Sequence, residues 1–86
     1  MNNKQRKTLA AIFDKPTRAD IEWNDIVNLI IALGATVKEG KGSRVRFELN
    51  GVFAGFHRPH PNKEAKKYQV EDFRVFLENA GVENHE

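Results

Sequence analysis

Cysteine is absent from this 86-residue chain, which excludes disulfides and thiolate metal sites and leaves the fold to be held by packing or by a partner. Long apolar runs are missing too. Leu9 to Phe13 and Leu29 to Leu33 are only five residues each, against roughly 18 for a membrane-spanning helix. The first run is also too short for the apolar region of a signal peptide, and no small-residue cleavage site follows it. The expectation is a cytoplasmic protein without membrane association. No spacing of His, Asp and Glu resembles a metal site, so neither a metal nor a small-molecule cofactor is expected. Proline occurs only at Pro16, Pro59 and Pro61, where it marks boundaries between elements.

What is present is 40% apolar and 30% charged residues, enough for one modest core in a single domain over residues 1–86. The formal charge of +2 is unevenly spread. From Lys38 to Lys67 there are eight Lys or Arg, two His and three acids, whereas Glu71 to Glu86 holds five acids and one Arg. A basic middle favours an anionic partner such as RNA; the acidic tail faces solvent or a protein.

Residues 3 to 14 read as a short amphipathic helix carrying Leu9, Ile12 and Phe13, ended by Pro16, and residues 14 to 20 as a turn-rich linker. Asp20 is a candidate N-cap for a second helix, Glu22 to Leu33, with Trp23, Ile26, Val27, Ile30 and Leu33 on one face and Gly34 as C-terminal cap. Leu29, Ile31 and Ala32 widen the stripe and predict burial on much of its circumference. A short strand, Ala35 to Lys38, then leads into the turn Glu39-Gly40-Lys41-Gly42-Ser43. Arg44 to Leu49 alternates polar and apolar residues, Asn50-Gly51 is a two-residue loop of the I′ kind, and Val52 to His57 returns as the partner strand. A basic loop follows, Asn62 to Lys67. Tyr68 is expected at the boundary, packing beside a last helix from Val70 to Ala80 that carries Val70, Phe73, Phe76 and Leu77 and is capped by Gly81. The order predicts an α+β fold: the α-β-β-β-α arrangement of double-stranded-RNA-binding domains, with a three-stranded antiparallel sheet packed on helices and an additional N-terminal helix.

The hairpin fixes which side chains share a face. With Asn50 and Gly51 in the loop, Leu49 faces Val52, Phe47 faces Ala54 and Val45 faces Phe56 on the core side. The opposite side pairs Glu48 with Phe53, Arg46 with Gly55, and Arg44 with His57. An imidazole and a guanidinium with Cβ atoms about 5 Å apart, beside a Gly-Lys-Gly-Ser turn, suit phosphodiester chemistry. One group moves protons near neutrality, and the other is a permanent cation for charge on phosphate. The plainer reading of His57 is a surface histidine on an open sheet face, and Arg44 and Arg46 equally suit simple RNA contact. His60 is fixed between two prolines, and His85 falls in a terminal tail.

The core helix ending in Leu33-Gly34, the turn Gly40-Lys41-Gly42-Ser43, the segment Pro59-His60-Pro61-Asn62-Lys63 and the ending Asn79-Ala80-Gly81-Val82 together resemble the HicA toxins of type II toxin–antitoxin modules. The resemblance covers about residues 21 to 82, leaving the helix and linker of residues 1 to 20 outside it. It implies an endoribonuclease that cleaves mRNA and is neutralised by a HicB-type antitoxin, and the absence of metal-ligand spacing makes the expected cleavage metal-independent. The usual family motif is Gly-Ser-His with an essential histidine; here it stands as Gly42-Ser43-Arg44. Two readings stay open. In the first, His57 transfers the proton and Arg44 binds the scissile phosphate, with Lys41, Ser43, Arg46, Arg58, His60, Lys63, Lys66 and Lys67 contacting RNA. In the second, the chain is a non-catalytic RNA-binding or regulatory module with the same basic surface. A pure protein-interaction domain would need an apolar sheet face, which only Phe53 supports.

Overall fold

The structure is a computed structural model that describes residues 1–84; His85 lies outside the described residues. Helix α1 (Asn3–Phe13) and helix α2 (Trp23–Ala32) precede strands β1 (Thr36–Glu39), β2 (Arg44–Leu49) and β3 (Val52–His57), and helix α3 (Lys67–Asn79) closes the chain. The sheet is antiparallel in the order β1-β2-β3. This is the α+β architecture and the α-β-β-β-α order expected, preceded by α1.

The hairpin register is the one the sequence predicts, from Leu49 opposite Val52 to Arg44 opposite His57. Its loop explains why. Asn50 and Gly51 have φ of 53° and 80°, both in the left-handed region that a I′ turn requires and that Asn-Gly tolerates best. The Asn50 amide also donates to the Ala80 carbonyl at 2.7 Å, tying the turn to the end of α3.

Aromatic packing holds α2 and α3 on one face of the sheet. Phe73 of α3 stacks on Phe56 of β3 with ring centroids 4.0 Å apart and planes within 10°. It also meets Phe47 at 5.6 Å and Trp23 of α2 at 5.5 Å. Such pairs contribute about 0.5–1.5 kcal/mol each beyond the area they bury. The stack matters for the other face, because alternation along β3 places His57 directly beside the pinned Phe56. Leu9, Ala11 and Ile12 of α1 join the same buried cluster.

Several sequence expectations are corrected. Glu22, not Asp20, is the N-cap residue of α2. Asp20 instead takes both ends of the Arg18 guanidinium at 2.9 Å, and this hydrogen-bonded pairing holds its carboxyl below the usual aspartate range. Ile31 is half exposed and Ala32 exposed, because α1 and the sheet cover only one side of α2. The last helix starts at Lys67, three residues early, since the Gln69 side chain accepts from the Lys66 amide at 3.0 Å and satisfies the first turn. Lys67 is therefore helical and Lys66 is its cap, rather than loop. Tyr68 lies within that first turn and points to solvent.

Candidate functional site

The face of the sheet away from the helices carries Lys38 of β1, Arg44 and Arg46 of β2, and Gly55 and His57 of β3. These five line an open depression of about 490 Å³. Pairing in the sheet produces the cluster: Lys38 lies opposite Arg46, Arg46 opposite Gly55, and Arg44 opposite His57. Two guanidinium groups, one lysine amine and one imidazole thus project from three adjacent strands. Gly55 supplies the floor, where an added Cβ would meet no atom within 4 Å.

His57 is held from two sides. Its Nδ1 shares a hydrogen bond with Ser43 Oγ at 3.2 Å, and its backbone carbonyl accepts from the Gln69 amide at 2.7 Å. The chain stays paired one step beyond the strands, with the Arg58 amide donating to the Ser43 carbonyl at 2.8 Å. That extra rung brings Ser43 level with the imidazole. When Nδ1–H donates to Ser43 Oγ, Nε2 presents a lone pair outward and can accept a proton; when both nitrogens are protonated it can return one.

The Gly-rich turn closes on itself. The Gly40 amide donates to the Arg44 carbonyl at 2.9 Å and the Arg44 amide to the Lys41 carbonyl at 3.3 Å. Two backbone amides around the turn are therefore consumed in shaping it. Gly42, at φ 64°, adopts the left-handed conformation that this tight path needs.

The residues named from sequence are not all gathered. Arg44, Arg46, Ser43 and His57 converge. Lys41 projects from the exposed turn. Arg58 is drawn into an ion pair with Glu39 and lines a groove with Trp23 and Val27 on the helix side, because strand alternation sends the residue after His57 to the other face. His60, Lys63, Lys66 and Lys67 are exposed along the segment leading into α3, outside the depression. The Lys63 carbonyl accepts from the Trp23 amide at 2.9 Å, so that segment is anchored to the start of α2.

Sequence reasoning missed Lys38, Gly55 and Gln69. Gln69 had a signal, since a Gln three residues after a helix start is half of a capping box. Lys38 had none, because no two-residue loop fixes the register of β1 on β2. Among the described residues no group of three or more His, Asp or Glu side chains forms a metal site, and no helix is long and apolar enough to cross a membrane.

Fold and site together define a small α+β protein with helices on one sheet face and a cationic, histidine-bearing cleft on the other. Residues 23–82 match the family described as the HicA toxin of bacterial toxin–antitoxin systems. The match spans well over half of the chain, which belongs to the HicA toxin family, and membership implies a cognate antitoxin. Comparisons with curated proteins and with solved structures gave no significant match.

Proposed function

We propose that the chain is a metal-independent endoribonuclease, the toxin of its module, acting on mRNA in the cytoplasm. The observation that carries this reading is the His57 imidazole, oriented by Ser43 and set opposite Arg44 on the cationic face. RNA lies along that face with a phosphodiester at Arg44. His57 Nε2 takes the proton of the adjacent ribose 2′-hydroxyl, the 2′-oxygen attacks phosphorus, and the bond to the 5′-oxygen breaks, that oxygen taking a proton from water; the hydroxide left behind takes the proton back from His57, which restores the base and leaves a 2′,3′-cyclic phosphate. Arg44 neutralises the charge that grows on the non-bridging oxygens, with Arg46 and Lys38 beside it. Lys41, Lys63, Lys66 and Lys67 hold flanking backbone. A HicB-type antitoxin presenting acidic groups would cover the same face.

The test is induced expression with RNA decay and growth as readouts. Wild type arrests growth and cleaves RNA; His57→Ala, still folded, loses about 10²- to 10⁴-fold in cleavage rate. Equal activity of the two removes His57 from the chemistry.

The second reading, a non-catalytic RNA-binding or regulatory module, is favoured by Arg44 standing where the resemblance puts a histidine, since a guanidinium stays protonated and is no general base at neutral pH. It requires an inert native chain. Cleavage appearing only in Arg44→His would establish it.

A further inference from the structure

A lone exposed aromatic is ordinary on a protein surface, but the setting of Phe53 is not. It is 62% exposed as the second residue of β3, on the same face as Gly55 and His57. Arg46, diagonal to it in the register, lies over the ring with Cζ 5.4 Å from the centroid. The acid directly opposite, Glu48, is occupied: it accepts from Thr36 Oγ1 at 3.4 Å and from the Gly51 amide at 3.1 Å, bracing the hairpin. The ring therefore has one cation over it, Arg46, and one carboxylate opposite it, Glu48, which keeps its charge while its oxygens brace the hairpin.

Phe53, Gly55 and His57 stand in line at every second residue, and four residues of strand separate the ring from the imidazole by about 13 Å. Between them the sheet is bare backbone at Gly55. An extended polynucleotide on this line meets cations for its phosphates at one end and, at the other, an exposed aromatic ring held on one side by Arg46. Resting on the function proposed above, we infer that Phe53, clamped by Arg46, is a stacking platform for an unpaired nucleobase, one or two nucleotides from the phosphate held by Arg44. Every base has a π-face, so the platform confers little base preference. It confers strand preference, because a base within a duplex is already stacked and cannot lie on the ring. The ligand is single-stranded RNA, and the platform makes the cleft discriminate against helices.

The test uses the full chain and a short single-stranded 2′-O-methyl RNA, which lacks the hydroxyl needed for cleavage, with binding read by anisotropy and stacking by the quenching of an incorporated 2-aminopurine. Phe53→Leu and Phe53→Ala should weaken binding about 5- to 100-fold at fixed salt and abolish the quenching, while Phe53→Trp retains both. The salt slope should be unchanged in all three, since no phosphate contact is lost. Wild-type affinity and quenching in Phe53→Leu would overturn the inference, as would equal binding of duplex and single strand. So would a loss confined to antitoxin binding, which would assign the ring to a protein partner. If wild type binds RNA and Arg44→Gln weakens it while Phe53 variants do not, the platform alone falls. If wild type binds no RNA, the proposed function falls with it.

Discussion

Gln69 donates from Nε2 to the His57 carbonyl at 2.7 Å while its Oε1 accepts from the Lys66 amide at 3.0 Å, and its side chain is only 2% exposed. One buried amide therefore joins the last residue of β3 to the first turn of α3. The helix start and the placement of the imidazole rest on the same group, which links fold stability to the site.

Gln69→Leu should accordingly cost about 1–3 kcal/mol, because it leaves the part-buried His57 carbonyl and Lys66 amide without their partner. Gln69→Glu separates the two roles. Its ionised carboxylate can still accept from Lys66 but has no proton to donate to His57 and puts a charge at a buried position, so some stability should be lost while cleavage falls mainly in kcat. Thermal unfolding and cleavage kinetics of both variants check this. A Gln69→Glu enzyme with wild-type kcat would show that the His57 carbonyl needs no anchor.

Ser43 acts on the ring rather than on the strand. Ser43→Ala removes the partner of Nδ1 at a cost of roughly 1 kcal/mol in orientation, or about a fivefold loss of rate, well short of the loss expected for His57→Ala. Nitrogen-detected NMR of the imidazole supplies the readout that a merely structural serine would not move: the tautomer balance should shift in Ser43→Ala. An unchanged balance together with an unchanged rate would leave Ser43 no part in orienting His57.

How much of this was legible in the sequence depends on how local each determinant is. The Asn50-Gly51 loop specifies two positive φ values, and those fix every pair of β2 and β3, so the Arg44 and His57 pairing could be read directly. The strand β1 has a longer, Gly-rich connection that allows several registers, which hid Lys38. Gln69 reaches His57 across twelve residues of chain, a contact no periodicity encodes. Charge alone places Arg58 on the RNA face, whereas strand alternation and Glu39 take it to the other side. The crowding of apolar residues in α2 predicts Ile31 as core, yet among the described residues nothing covers that side.

Gly55 offers a test of the cleft that leaves the core alone. Glycine is poor in a strand interior, and its presence there marks a place where something approaches the backbone closely. Because a Cβ at this position meets no atom within 4 Å, Gly55→Val should fold normally and gain up to about 1 kcal/mol in stability from strand propensity. It should also block the floor between Arg44 and Phe53, reducing RNA cleavage and binding by at least tenfold. Chemical denaturation and cleavage assays on one preparation measure both. Full activity in a stabilised Gly55→Val would mean that RNA does not cross this floor.

The N-terminal helix lies outside the family match, and its attachment predicts that residues 23–82 do not stand alone. Ile12 is fully buried. Arg74 of α3 donates to the Ile12 carbonyl at 2.9 Å and to the Asp14 carbonyl at 3.1 Å, so the guanidinium takes up carbonyls that the end of α1 leaves unpaired. Ile12→Ala should cost about 2–5 kcal/mol, a large share of the roughly 4–13 kcal/mol expected of a domain this size. Arg74→Met keeps the aliphatic stem and removes the donors, and should cost about 1–3 kcal/mol. Both losses should appear as lower urea midpoints with unchanged cleavage below the transition, since the cationic face lies across the sheet from α1. An Ile12→Ala variant that unfolds at the wild-type midpoint would make α1 an appendage, and the matched segment a self-sufficient fold.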